Sequence, residues 1–207
     1  MVSDCGEHAW YKKHIKLKLP IFFYIVLALI IFFSLAILIS WLVLRPHKPQ
    51  FSVRHVSVEV FNISTNPSVI KTNIQVSIFS RNPNKHAGIY YESLEFYATY
   101  RYHQITLPNH IPYGSFQGSK DVTIWSPYIS GNSIPIASYA VQTLKQEEKA
   151  GMVILNVVVD GKIRWKIGPW KFGRFHLFVN CQSFINTSTP SAYTFQSQQN
   201  NNCKVDV

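Results

Sequence analysis

An all-β antiparallel sandwich preceded by one transmembrane α-helix is the fold class this sequence predicts. Two observations carry that prediction. From residue 51 onward apolar and polar residues alternate with period two between turn residues, and ahead of them lies one uncharged apolar run of 24 residues. The chain of 207 residues suffices for one domain with an appendage. It divides by composition into a basic tail (1–20), the apolar run (21–44), a linker (45–50), the β domain (51–185) and a polar C-terminal tail (186–207).

Residues 21–44 read IFFYIVLALIIFFSLAILISWLVL. As a helix they reach about 36 Å, against a hydrocarbon core of about 30 Å. Ser34 and Ser40 each have a carbonyl one turn back to bond. A cleaved signal peptide has a shorter apolar region, about 7–15 residues, ending at a small-x-small site. This run instead leaves through Trp41, a residue suited to the membrane interface, into Arg45-Pro46-His47-Lys48-Pro49. An uncleaved signal anchor is expected. Lys12, Lys13, Lys16 and Lys18 precede it and Arg45, Lys48 and Arg54 follow, so the positive-inside rule puts the N-terminus in the cytosol and exports the β domain. The four leading lysines are placed to lie against anionic lipid of the inner leaflet. They equally well set topology and nothing more.

The predicted exported segment carries two N-glycosylation sequons, Asn62-Ile63-Ser64 and Asn186-Thr187-Ser188. It also holds two of the three cysteines, Cys181 and Cys203, which can pair in an oxidising compartment or stand as buried thiols. Pairing would tie the polar tail back to the last strand. Cys5 sits alone in the basic tail.

Strands follow from the alternation of Val56, Val58 and Val60; of Ile74, Val76 and Ile78; and of Leu94, Phe96, Ala98 and Tyr100. Ile163, Trp165 and Ile167 form another set, and Phe175, Leu177 and Val179 a last one. Asn66-Pro67, Asn82-Pro83-Asn84, Leu107-Pro108-Asn109, Tyr113-Gly114-Ser115, Ser126-Pro127 and Gly168-Pro169 read as turns. Asp160-Gly161 reads as a hairpin turn between residues 157–159 and Ile163. One helix is expected over residues 137–149, where Ala140, Val141 and Leu144 share a face and Gly151 supplies a stop.

The eight histidines form no HExxH, no HxH and no zinc-type pairing with cysteine, and neither GxSxG, a Gly-rich phosphate loop nor CxxC occurs. No catalytic residue, metal or cofactor is expected. Of 20 basic and 10 acidic residues, 4 and 2 precede the helix, leaving 16 against 8 and a net charge of +8 on the exported side. A domain outside the cell has no nucleic acid to meet, so the charge points to an extracellular polyanion. Lys162, Arg164 and Lys166 project from one strand face, with Lys171 and Arg174 following, and form the candidate contact. The same residues also suit a solvated face that blocks edge pairing.

The run Asn82-Pro83-Asn84-Lys85-His86-Ala87-Gly88-Ile89-Tyr90-Tyr91-Glu92 resembles the NPNxxxGIYY(D/E) signature of the plant harpin-induced-like and non-race-specific disease-resistance-like proteins. So do Gly161-Lys162-Ile163-Arg164-Trp165-Lys166-Ile167-Gly168, Gly173-Arg174-Phe175-His176-Leu177, Val179-Asn180-Cys181 and the ending Cys203-Lys204-Val205-Asp206-Val207. Ser126-Pro127 and Pro135-Ile136-Ala137 fit between them. The resemblance spans essentially the whole chain. It implies a group-two late-embryogenesis-abundant domain, a fibronectin-III-like sandwich, displayed at the plant plasma membrane or plasmodesma in defence or stress responses. An Asn-Gly-Asp adhesion motif proposed for one branch of that group is absent from the sequence, as is the hydrophobic C-terminal tail that a glycolipid anchor requires, and both departures speak against direct integrin-like adhesion. The expected function is non-enzymatic binding of acidic cell-wall polysaccharide or a membrane partner protein. The alternative is protection of membranes during desiccation.

Overall fold

The computed structural model describes residues 21–39, 46–111, 114–187, 193–195 and 203–207. The expectations placed on Lys12, Lys13, Lys16, Lys18, Cys5, Ser40, Trp41, Arg45, Tyr113 and Ser188 lie outside those residues. The chain divides into two units, Met1–Arg45 and Pro46–Val207. In the first, α1 (Ile21–Ile39) is a helix long and apolar enough to cross a membrane. It is apolar all round, unlike the one-sided stripe of a helix that packs on a core. Its 19 residues rise about 28 Å.

The second unit is built of two antiparallel sheets. One holds β1 (Gln50–Thr65), β2 (Ser68–Arg81), β7 (Val122–Trp125), β8 (Tyr128–Pro135) and β11 (Tyr193–Phe195). The other holds β3 (Gly88–Tyr100), β4 (His103–Gln104), β5 (Asn109–Ile111), β6 (Ser115–Gln117), β9 (Met152–Ile167), β10 (Trp170–Asn186) and β12 (Lys204–Asp206). In the first sheet β2 lies between β1 on one side and β7 and β8 on the other. In the second, β9 lies between β3 and β10. β11 and β12 come from the segment beyond residue 186 and pair with β1 and β10. The chain crosses between the sheets through α2 (Ser138–Lys149), which follows β8 and leads into β9. Its Ala140, Val141 and Leu144 are buried, and it ends two residues before the left-handed backbone of Gly151.

Alternation does what the sequence predicts along most of each strand. Ile74, Val76 and Ile78 are fully buried, as are Leu94, Phe96, Ala98 and Tyr100. Trp125 of the first sheet meets Tyr91 and Phe96 of the second at ring distances of 5.1 and 6.2 Å, closing the core between the layers. A polar bolt crosses the same core. Tyr91 donates to Gln117 Oε1 at 2.8 Å and shares a hydrogen bond of 2.9 Å with Ser80 Oγ on β2. Burial pushes the Tyr91 hydroxyl far above its usual range.

Three expectations fail, each for a local reason. Asp160-Gly161 makes no turn: β9 runs straight through it, and the hairpin closes at Gly168-Pro169, where Gly168 has φ +57°. Gly161 is required there by close approach, since a Cβ would collide with the Ser93 carbonyl of β3. Val60 is half exposed because a register shift between Val58 and Val60 breaks the alternation. Phe175 is 41% exposed although Leu177 and Val179 are buried. A bulge between Phe172 and Phe175 and the short reach of β12, which pairs only with Phe178 to Asn180, leave that part of β10 at an open edge.

Candidate binding face

Lys162, Arg164 and Lys166 alternate with the buried Ile163 and Trp165, so they emerge together on the outer face of β9. Across the hairpin Lys171 stands opposite Lys166, and on the other side Tyr90 of β3 stands opposite Arg164. Phe116 of β6 pairs with Tyr90, their rings 4.6 Å apart. The two lysines lie over this aromatic pair: Lys171 Nζ is 3.9 Å from the centre of Tyr90, and Lys166 Nζ is 5.0 Å from that of Phe116. The predicted cations therefore do share one face, and it is tiled with aromatic rings.

Arg174 reaches the same face by a different route. It occupies the β10 bulge, while Glu92 occupies a bulge of β3 between Tyr91 and Ser93. The two irregularities bring the side chains together, with Arg174 Nε 2.8 Å from Glu92 Oε2. Arg164 contacts the other oxygen of the same carboxylate. Desolvation opposes ionisation of Glu92, but Arg174 and Arg164 outweigh it and hold the carboxyl below its usual range. Because the folded value is depressed, the clamp is intact at neutral pH. It opens only as the pH falls through that lowered value.

Three parts of this face escape a reading of the sequence: Tyr90, Phe116 and Glu92. Tyr90 was legible in principle, since adjacent Tyr90 and Tyr91 must point to opposite faces of a strand and only one can enter the core. Phe116 and Glu92 carry no such signal, because their places depend on pairing with β3 and on a bulge.

The other predicted sites are scattered. Cys181 of β10 and Cys203 are joined as a disulfide with Cα atoms 4.4 Å apart, and the Cys203 N–H donates to the Phe51 carbonyl of β1 at 2.9 Å. Asn62 is exposed near the far end of β1, opposite Lys71, and Asn186 ends β10 opposite Met152. Asn82 and Asn84, in the Asn-Pro-Asn run, act as structural joints. Asn82 Nδ2 donates to the carbonyls of Ala87 and Gly118, both at 2.8 Å. Asn84 exchanges two hydrogen bonds with the backbone of His47, at 2.7 and 2.8 Å. Among the described residues no group of three His, Cys, Asp or Glu side chains is arranged to hold a metal ion.

The comparisons with known proteins agree with the motif that contains those asparagines. NDR1/HIN1-like protein 1 of Arabidopsis thaliana is 43% identical over 186 residues, covering 89% of this chain and 87% of its own length. The chain belongs to the NDR1/HIN1-like family. NDR1/HIN1-like protein 12 of the same plant is 42% identical over 168 residues, 81% of this chain and 79% of its own. NDR1/HIN1-like protein 26 is 34% identical over 173 residues, 80% of this chain and 81% of its own. No family model matches the chain. Among solved structures, a protein from Archaeoglobus fulgidus aligns with a TM-score of 0.34 and 11% identity, over 67% of this chain and 99% of its own. An Arabidopsis thaliana protein determined in solution aligns with a TM-score of 0.34 and 17% identity, over 68% and 83%. The resemblance carried by residues 82–92 and 161–168 is thus that of a true NDR1/HIN1-like chain, a member of a family tied to plant defence and stress.

Proposed function

We propose that this NDR1/HIN1-like chain is a non-enzymatic, single-pass plasma-membrane protein of plant defence. Its N-terminus lies in the cytosol and its sandwich faces the cell exterior, where the basic face of β9 and β10 binds acidic wall polysaccharide. The observation that carries the outward orientation is the Cys181–Cys203 disulfide, because such cross-links persist in oxidising compartments. The sequons at Asn62 and Asn186 and the lysine bias before α1 point the same way. On the inner side, Lys12, Lys13, Lys16 and Lys18 meet anionic lipid.

The composition of the face suits a polyuronate. Tyr90 and Phe116 hold Lys166 and Lys171 over their rings, which sets the two ammonium groups side by side to meet the carboxylates of the polymer. Lys162 extends the same row.

The test is retention of the detergent-solubilised full chain on immobilised polygalacturonate. Changing Lys162, Lys166 and Lys171 together to Gln is expected to weaken retention roughly tenfold at low salt, at about 0.5 kcal/mol per exposed charge. Glu92→Gln, which releases Arg164 and Arg174, is expected to strengthen it. Unchanged retention of the triple variant would sink the polysaccharide reading.

A further inference from the structure

The sandwich has two unlike ends. Asn84 is bonded to His47, at the start of the domain, and Gly88, four residues on, pairs with Lys166. Lys166 pairs in turn with Lys171 across the hairpin that turns at Gly168-Pro169. The entry segment, the Asn-Pro-Asn turn and the β9–β10 hairpin tip therefore share one end. Both sequon asparagines stand at the other, where Asn62 faces Lys71 and Asn186 faces Met152.

The entry end is basic and carries unpacked aromatic side chains. At the hairpin tip Trp170 is 69% exposed and Phe172 is 49% exposed. Neither is an ordinary strand residue facing water, because each stands opposite an apolar residue of β9, Ile167 and Trp165. At the start of β1 and the end of β2 an open recess of about 550 Å³ is lined by Arg54, Arg81 and Lys120, and no carboxylate lines it. The nearby Asp121 turns its carboxylate to the amides of Gly118 and Val122. Among the described residues, Glu92 is held by two arginines and Asp206 lies 3.8 Å from Lys48, while Asp160 and Glu95, in the same register row as Asp206, meet His176 and His110.

Covalent reach decides what this end can meet. Seven peptide steps separate Ile39 of α1 from Pro46, a span of at most about 25 Å. If α1 crosses the membrane, the domain begins close to a headgroup layer. Exposed Trp with flanking Arg and Lys is the composition suited to that layer, with the rings at the boundary and the cations on phosphates. We propose that this end of the sandwich docks on the phospholipid headgroup layer of the bilayer that α1 spans. Trp170 and Phe172 enter the interface, and Arg54, Arg81 and Lys120 engage lipid phosphates. The inference rests on the anchored reading of α1.

The full chain, reconstituted in vesicles of phosphatidylcholine and phosphatidylglycerol with or without brominated acyl chains, separates the two claims. The Trp41 and Trp170 contributions to emission are the differences between wild type and Trp41→Phe or Trp170→Phe. Quenching of both by brominated lipid, about twofold, is the expected result. Trp41 left unquenched overturns the anchored reading and the docking with it. Trp41 quenched while Trp170 is not overturns the docking alone. A Trp170 emission shifted to the blue but insensitive to bromine assigns the tip to a second copy of the chain. One that moves only with soluble polygalacturonate assigns it to the wall polymer, and both of these results overturn the lipid proposal. Changing Arg54, Arg81 and Lys120 together to Gln, away from the hairpin itself, is expected to reduce the quenching of Trp170 and leave that of Trp41 intact. No reduction removes those three cations from the proposal.

Discussion

At Gly161 the backbones of β9 and β3 come so close that no side chain fits between them. The glycine reads as half of a hairpin signal, yet its φ is not among the positive values that such a turn needs, and Gly168 supplies the turn instead. Gly161→Ala is therefore expected to destabilise the domain by about 1–3 kcal/mol through overpacking, seen as a lower denaturation midpoint. An unchanged midpoint would mean that β3 yields easily there. Glu92 shows the opposite limit of reading residues singly. A lone acidic residue in a strand signals little, but two bulges turn it into the hub that holds Arg164 and Arg174 in place.

At the scale of elements, the strands with clean alternation were legible, and so was α2, because Ala140, Val141 and Leu144 share a helical face and Gly151 stops it. Where alternation broke, at Val60 and Phe175, a bulge had shifted the register, and a bulge is set by the partner strand rather than by local sequence. The C-terminal segment illustrates the same dependence. It is rich in Ser, Gln and Asn and carries no strand pattern, yet Lys204–Asp206 pairs with β10 and Cys203 is tied to Cys181 beside that pairing. The cross-link spans 22 residues. Cys203→Ser is expected to cost about 3 kcal/mol in the chain-entropy account. Dithiothreitol should lower the unfolding midpoint of the parent by a similar amount and leave that of the variant unmoved; a variant as stable as its parent would contradict this.

For the whole molecule, the arrangement of sites along the long axis of the strands matters more than any one of them. The sequons stand at the end away from the entry segment, with Asn62 exposed on β1 and Asn186 closing β10. Expressed in plant cells, the chain is expected to gain mobility on glycosidase treatment, in two steps removed one at a time by Asn62→Gln and Asn186→Gln. A shift at either site fixes the domain on the lumenal or exterior side. A chain that shows no shift and also reacts with a thiol probe at both Cys181 and Cys203 would place the domain in the cytosol.

The sequence by itself determined the apolar helix, the β class, the shared face of Lys162, Arg164 and Lys166, and the family. All of these rest on periodicity or on local motifs, which are written in neighbouring residues. Only the tertiary structure decided where the hairpin turns, why Gly161 is glycine, that Tyr90, Phe116 and Glu92 complete the basic face, and that Trp170 shares an end with Pro46. Those facts depend on strand register and bulges. Register is a contest between whole strands for burial and hydrogen bonding, and no short stretch of sequence contains its outcome.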